Sequence, residues 1–532
     1  MDEKLGSSES TPKSPLERSE GHEFDDVFNH VKSFGRYQKI VYFSLHMLIF
    51  PITTQFDALV FAFSTPNFHC ETANVTCPSK KCCKGCTSYV FDGPFNSTVS
   101  EWNLVCDRAY LGAIIQSCYF AGMTIGSFAT GMISDAWGRK KCIFFSTAIM
   151  LLGGIGSSVV DCISFLGFLR FVVGFGLSGA MLALYIYCVE LVGPKRRTLV
   201  GNITFVYFSG FGIGAVFFAY FIREWRMLLL VLTLPAVLLF PFWRVMPESP
   251  RWLIANNKLD EAERILMKFG GKRGRPIDRD QLRKLILDVR EDQVNKEASA
   301  KRYTPLDLVR TAKMRKWAII MSYQWFVVAL VSFGILLFVS QLAGSVYLNF
   351  LIITTAQAFK VVLTYFVFLK FGRRIGHAGF IVLVGTILLL VLAVNKDYPW
   401  ATTVLSLLGY ILIDCNWTGV YIITPELFPT VLRNTAQGTG STSARIGGIL
   451  APFVAMMSQL PGFGIAGPVI IFGVLALIAG VMMYWIPETL YAPMHQTIEE
   501  AEAAKEDFGI PCFGGRNKTA LEVGSDIEIS KL

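Results

Sequence analysis

Apolar runs of about twenty residues, set apart by polar stretches, recur along the whole chain. In YLGAIIQSCYFAGMTIGSFATGMI (110–133) and LLLVLTLPAVLLFPFW (228–243) the apolar positions fall on every side of a helix, with no 3.6-residue stripe and no strict alternation. Such segments bury all their faces in lipid or protein. Twelve membrane spans are predicted, over 40–62, 110–133, 143–160, 163–189, 199–222, 227–245, 317–339, 346–371, 376–395, 400–424, 435–457 and 466–486. Two polar interruptions are long, 63–109 after the first span and 246–316 after the sixth; the second holds charged helical stretches such as LDEAERILMKFG (259–270) and reads as a helical bundle. The pattern therefore predicts an all-α membrane protein. Its parts are an amino-terminal segment (1–39), a six-span half (40–245), a helical loop (246–316), a second six-span half (317–486) and a tail (487–532).

Composition agrees: 53% of residues are hydrophobic and 17% charged, against about a quarter charged in soluble domains. Basic residues follow every second span: Arg139, Lys140 and Lys141, then Lys195, Arg196 and Arg197, then the basic loop 246–316, then Arg373 and Arg374, then Arg433. The alternate short loops are nearly bare. The positive-inside tendency then places both termini in the cytosol and accounts for the net charge of +9 without a nucleic-acid footprint. Residues 1–39 are polar and charged, so no cleavable signal peptide is expected ahead of the first span.

Six of the twelve cysteines (Cys70, Cys77, Cys82, Cys83, Cys86 and Cys106) fall in the loop 63–109, with the sequons at Asn74 and Asn96. This is the pattern of an exterior, glycosylated, disulfide-bonded cap; the pairing stays open, since six cysteines allow 15 connectivities. A metal or redox role for the Cys83–Cys86 spacing is disfavoured, and no metal site or cofactor is expected. Asn517 is cytosolic in this topology and should carry no glycan.

The two halves share their punctuation. Gly138-Arg-Lys-Lys141 and Gly372-Arg-Arg374 lie at an offset of 234 (372 − 138). Glu190-Leu-Val-Gly-Pro-Lys-Arg-Arg197 and Glu426-Leu-Phe-Pro-Thr-Val-Leu-Arg433 lie at 236 (426 − 190), and Pro247-Glu-Ser and Pro487-Glu-Thr at 240 (487 − 247). A duplicated six-span unit is the architecture of secondary transporters, which bind substrate near mid-membrane where the halves meet. Asp135, Gly138, Arg139, Glu190 and Arg196, with Arg373, Glu426 and Arg433 in the second half, are the candidate gate: charged groups at helix ends can pair in one conformation and release in the other.

Gly131-Met-Ile-Ser-Asp-Ala-Trp-Gly-Arg-Lys-Lys141 resembles the loop signature of the major facilitator superfamily. FDDVFNHVKSFGRYQ (24–38), STVSEWNLVCDR (97–108), PESPRWL (247–253), TPLDLVRTAKMRK (304–316) and ELFPTVLRN (426–434) resemble its organic cation, anion and zwitterion (carnitine) transporter family of solute carriers, from about residue 24 to about 490. The resemblance implies a major facilitator fold and transport of small organic ions.

Other signals carry less. Gly174-Phe-Gly-Leu-Ser-Gly179 spells a dinucleotide fingerprint, but it lies inside an apolar helix, where small residues let helices approach closely; Gly210-Phe-Gly-Ile-Gly214 is read the same way. P-loop, H-E-x-x-H and G-x-S-x-G motifs are absent, so ATP-driven pumping and hydrolysis have no support and the chain is not read as an enzyme. The terminal Ser530-Lys531-Leu532 spells a peroxisomal address, which the exterior loop and many spans override; it also suits a PDZ-type partner.

Three spans carry ionisable residues at one depth. Arg445 lies 12 residues past Arg433, Asp414 lies 12 before Glu426 and Lys360 lies 12 before Gly372, each roughly 18 Å into a roughly 30 Å core. Such residues cost roughly 2.5 to 3.5 kcal/mol at mid-membrane and normally face a cavity or a partner. Small residues on the face of Arg445 (Gly438, Ser441 and Gly448) leave room for a bound group. The structural alternative is an Arg445–Asp414 ion pair, which leaves Lys360 unpaired and the trio at net +1. A positive cavity favours an anion, and arginine offers a carboxylate two parallel hydrogen bonds. The resemblance implies the same: cation carriers of the family tend to have Asp at the position of Arg445, anion and carnitine-type carriers Arg. Lys360 is one residue removed from the span-eight lysine of the anion transporters, and Asp414 matches no acidic position of the family. Trp417, at an aromatic position lining the cavity in the anion transporters, together with Tyr207, Phe208 and Phe333, would take the apolar part of a substrate.

The resulting expectation is a secondary active or exchange transporter of organic anions, working by alternating access at a plasma membrane. Its alternatives are a sodium- or proton-coupled carrier of carnitine-like zwitterions or cations, and a non-transporting receptor on the same fold.

Overall fold

The computed structural model describes residues 23–71, 82, 86, 88–93, 95–271, 276–299, 304–394, 398–460, 463–492, 495–504, 506, 508 and 509. Twelve long helical segments form a bundle of two six-span halves. Eleven are long and apolar enough to cross a membrane: Arg36–Ala62, Cys106–Trp137, Arg139–Val159, Ile163–Glu190, Pro194–Phe221, Trp225–Arg244, Ala312–Gln341, Val346–Phe371, Arg373–Ala393, Pro399–Leu427 and Ala466–Trp485. The eleventh span in chain order, Arg433–Met456, fails the apolar criterion because one face is glycine, serine, threonine and Arg445. It nevertheless packs inside the bundle against the second and seventh spans.

Proline sets the irregularities. The first span breaks at Met47–Leu48, four residues ahead of Pro51, whose ring lacks an N–H and crowds the Met47 carbonyl. The sixth span changes from α-helix to 3₁₀-helix at Leu234 and carries Pro241 inside it. The third and ninth spans each start after a glycine in the left-handed region, Gly138 at φ 107° and Gly372 at φ 88°, where a side chain would be strained.

Glycine also sets helix spacing. A methyl group on Gly174 or Gly176 would overlap backbone atoms of Tyr119 in the second span or of Ser146 and Met150 in the third, as the close-packing reading requires. In the fifth span that reading needs correction. Gly210 and Gly214 have open space around them, and only Gly212 faces neighbours, Asp57 and Thr354, because those two glycines lie on another side of the helix.

The halves touch near the cap that follows the first span. Gln459 Nε2 donates to Thr65 Oγ1 (3.3 Å), Ser117 Oγ to the Ile449 carbonyl (2.7 Å), and Phe61 stacks on Tyr347 at 5.8 Å. Between them lies a cavity of about 40 Å³. The cap pairs β1 (Asn67–Cys70) antiparallel with β2 (Tyr89–Asp92) over a small core of Phe68, Val99, Leu104 and Val105. Two disulfides close it, Cys70–Cys86 and Cys82–Cys106. Cys77, Cys83 and Asn74 lie outside the described residues, as do Asn517 and the carboxy-terminal tripeptide. Asn96 is exposed. At the opposite end, helices Pro250–Ala255, Leu259–Phe269 and Arg279–Ser299 follow the sixth span, and Trp252 Nε1 donates to the Asp135 carbonyl (2.7 Å).

Candidate functional site

Two charge clusters at the end opposite the cap repeat one another. In the first half Arg139 reaches Glu190 with Nε and Nη2 (3.2 and 3.1 Å) and Asp135 with Nη1 (2.7 Å). Ser249 Oγ donates to the same Glu190 (2.6 Å), and Glu248 accepts the backbone N–H groups of Lys140 (3.0 Å) and Ser249 (2.9 Å). In the second half Arg373 faces Glu426 at 3.5 Å, Thr489 Oγ1 donates to Glu426 (2.7 Å), and Glu488 accepts from the backbone of Arg373 (2.8 Å) and Arg374 (3.2 Å). Each glutamate thus caps the exposed N–H groups of the helix that follows its glycine turn. Burial pushes the Glu248 carboxyl above its usual value, and the N–H groups of Lys140 and Ser249 partly offset the shift.

The second cluster is the looser one. Leu369 stands 234 residues after Asp135 (369 − 135), so it has no third carboxylate, and Arg373 touches Glu426 through a single longer contact. Two gate expectations change. Arg196 is exposed; its neighbour Arg197 is the one that pairs, with both carboxylate oxygens of Asp25 (2.9 and 2.5 Å), because helical phase turns 197 rather than 196 toward the amino-terminal segment. Arg433 donates to Thr430 Oγ1 (3.4 Å) within its own half. Glu248 and Glu488 were not singled out from the sequence, although the repeated Pro-Glu-Ser and Pro-Glu-Thr marked them.

At the centre the alternative Arg445–Asp414 pair is not formed. Asp414 is paired with Lys360 instead, Nζ to Oδ2 at 2.6 Å, so Lys360 is not the unpaired cation of the trio. Oδ2 has no hydrogen-bond partner of acceptable angle, and the contact is therefore coulombic. It joins the eighth and tenth spans. Arg445 is partly buried and makes no ion pair among the described residues. Its electrostatic neighbours are Tyr421 of the tenth span and Tyr119 of the second.

An aromatic cluster lies one turn along the helix from this arginine. Gly448, one turn on, abuts Phe120 and Phe333. Phe333 lies 5.0 Å from Phe120, 6.0 Å from Phe56 and 5.9 Å from Trp417. Trp417 donates to Ser332 Oγ (3.1 Å) and neighbours Tyr421 and Trp325. Phe333 and Trp417 of the second half are therefore brought together with Phe56 and Phe120 of the first, one turn from Arg445. Tyr207 belongs to another group, with His46 (5.0 Å) and Phe211 (5.6 Å), and Phe208 packs partly buried beside the core.

Two charges escaped the sequence reading. Asp57 of the first span is buried with Oδ2 unpartnered, and Arg170 of the fourth is fully buried with all three guanidinium nitrogens unpartnered. Tyr119, itself unpartnered, lies within electrostatic reach of Asp57, Arg170 and Arg445. The signal was available, since ionisable residues inside apolar spans are rare and functional by default. Among the described residues no cluster of His, Cys, Asp and Glu is arranged to hold a metal ion.

Residues 65–503 match the family described as sugar (and other) transporter. The chain is 32% identical to the organic cation transporter protein of Drosophila melanogaster over 521 residues, covering 90% of this chain and 94% of that one. It is 31% identical to organic cation/carnitine transporter 2 of Homo sapiens over 411 residues (76% and 72%), and 28% identical to solute carrier family 22 member 6-B of Xenopus laevis over 528 residues (90% and 95%). Among solved structures it is similar in fold to the inward-open xylose transporter XylE from E. coli, with a TM-score of 0.63 over 87% of this chain and 98% of that one at 18% identity. With its two six-span halves and duplicated charge clusters, the chain belongs to the sugar (and other) transporter family of the major facilitator superfamily, in the solute carrier 22 group of organic cation, anion and carnitine transporters.

Proposed function

We propose that this transporter carries small amphipathic organic anions by secondary active transport or exchange, with alternating access at a plasma membrane. The observation that supports this most is the charge balance at the centre: Lys360 neutralises Asp414, and Arg445 is left with tyrosines and no carboxylate. A guanidinium held in that setting accepts a carboxylate through two parallel hydrogen bonds, while Phe333, Phe120 and Trp417 take the apolar part of the substrate. In this reading residues 40–245 and 317–486 rock about the site, and the Arg139–Glu190 and Arg373–Glu426 clusters pair and release as the gate. The cap faces the exterior with glycans at Asn74 and Asn96, both termini are cytosolic, and the tail offers a strand to a PDZ-type domain.

A second reading, a coupled carrier of carnitine-like zwitterions, is favoured by Asp57, whose Oδ2 has no hydrogen-bond partner among the described residues and which, like Arg445, is an electrostatic neighbour of Tyr119. It is also favoured by the cation and carnitine names of the relatives. A receptor that does not transport would have no need of two built charge clusters. The test is uptake of labelled aryl carboxylate, dicarboxylate, carnitine and quaternary ammonium in cells expressing the chain, with and without sodium and with dicarboxylate preloading. Carboxylate uptake well above the others supports the anion reading. Sodium-dependent carnitine uptake without aryl carboxylate uptake favours the second, and no uptake at normal surface expression favours a receptor.

A further inference from the structure

Outside the central site, a wedge-shaped cavity of about 660 Å³ opens on the flank of the first half. Its walls are the start of the third span and the end of the sixth, at the level of the charge clusters. Along this flank, past Leu234, the sixth span winds as a narrower 3₁₀-helix through Pro241. Phe144, Phe145, Phe240 and Trp243 line it, with Phe144 edge-on to Trp243 at 5.1 Å and to Phe240 at 5.9 Å. Lys141 and Arg244 stand at its mouth, and Lys140 Nζ lies 4.6 Å from the centre of the Trp243 ring.

The charge at that mouth is uncompensated. Among the described residues neither Lys141 nor Arg244 has an ion-pair partner. Of the nearby carboxylates, Asp135 and Glu190 hold Arg139, Glu248 holds the amides of Lys140 and Ser249, and Glu261 acts electrostatically on Lys140. Exposed Trp137 and Trp243, at 56% and 40%, mark the level of the lipid headgroups. An occupant must therefore offer an anion at the headgroup level and an apolar segment running deeper between aromatic rings.

We propose that this wedge is a binding site for an anionic phospholipid of the adjacent leaflet. Lys141 and Arg244 hold the headgroup, and the first part of an acyl chain lies between Phe144, Phe240 and Trp243. A soluble anion leaves the aromatic walls unused, and a zwitterionic lipid leaves both cations without net compensation. The site is separate from the Arg445 cavity and does not depend on which substrate is carried.

The test uses the full chain in neutral detergent, titrated with brominated phosphatidylserine or brominated phosphatidylcholine. Bromine quenches nearby tryptophan, and the signal of Trp243 is read as the difference between the parent chain and Trp243→Phe. The serine lipid is expected to quench Trp243 about thirtyfold more tightly than the choline lipid, which corresponds to about 1 kcal/mol for each of two cations. Lys141→Gln/Arg244→Gln should bring the serine lipid to the choline level. High salt should do the same in the unsubstituted chain, which keeps the test decisive if the double variant does not fold. Equal quenching by the two lipids, or a serine preference that survives both the substitutions and high salt, would overturn the proposal.

Discussion

Lys360→Met should strand Asp414. The two side chains are 18% and 9% exposed, so solvent does little to screen them, and removal of one partner leaves a charge in low dielectric. Breaking such a pair costs about 3 to 5 kcal/mol, whereas replacing both members by apolar side chains is often neutral or stabilising. Lys360→Met and Asp414→Leu should therefore each lower surface expression and melting temperature, and the double variant should recover most of the loss. A coupling of at least about 2 kcal/mol is expected in that cycle, within the range for residues in direct contact. The assay is thermal melting of the four purified proteins with cell-surface labelling of each. Carboxylate uptake should return along with folding, because Arg445 is not part of the pair. Additive losses would refute the pairing, and restored folding without carboxylate uptake would return Lys360 to the substrate site.

Glu248→Ala removes the acceptor for the Lys140 N–H at the start of the third span and for the Ser249 N–H, and should cost about 0.5 to 2 kcal/mol, read as lower melting temperature and turnover with substrate affinity retained. Because the folded chain holds the Glu248 proton more tightly than the unfolded chain, this group's contribution to stability is complete below the unfolded value and is lost as pH rises through the raised folded value. Glu248→Gln should flatten that part of the curve of melting temperature against pH; an unchanged curve would contradict it. Gly174→Ala drives a methyl group into the Tyr119 carbonyl and should abolish surface expression, whereas Gly214→Ala, with open space, should be tolerated; equal expression of the two would contradict the packing. Asn96→Gln should remove one glycan step on a gel, and an unchanged band would mean Asn96 is unmodified.

The spans, the duplication and the polarity of the eleventh span were legible because each depends on composition over a whole helix or on a repeated word. Pairing at the centre was not. Depth along a helix follows from residue count, which placed Lys360 and Asp414 at a common level, but each residue also turns the helix by about 100°, and tertiary packing decides which neighbour a face meets. The same uncertainty of phase separates Arg196 from Arg197 and Gly212 from its flanking glycines. Glu248 and Glu488 act through backbone amides across a turn, which no local periodicity reports. Asp57 and Arg170, like Arg445, are ionisable residues inside apolar spans and were legible by the same argument.

Arg445 is the residue on which the substrate assignment turns. Carboxylate uptake should be compared in the parent chain, Arg445→Ala and Arg445→Lys, each normalised to surface expression. A lost charge-assisted hydrogen bond is worth about 1.5 to 3 kcal/mol, so Arg445→Ala should weaken carboxylate affinity by about ten- to a hundredfold, and Arg445→Lys should restore only part of it, having the charge without the planar fork. Carboxylate affinity left intact by Arg445→Ala at normal surface expression would contradict the account.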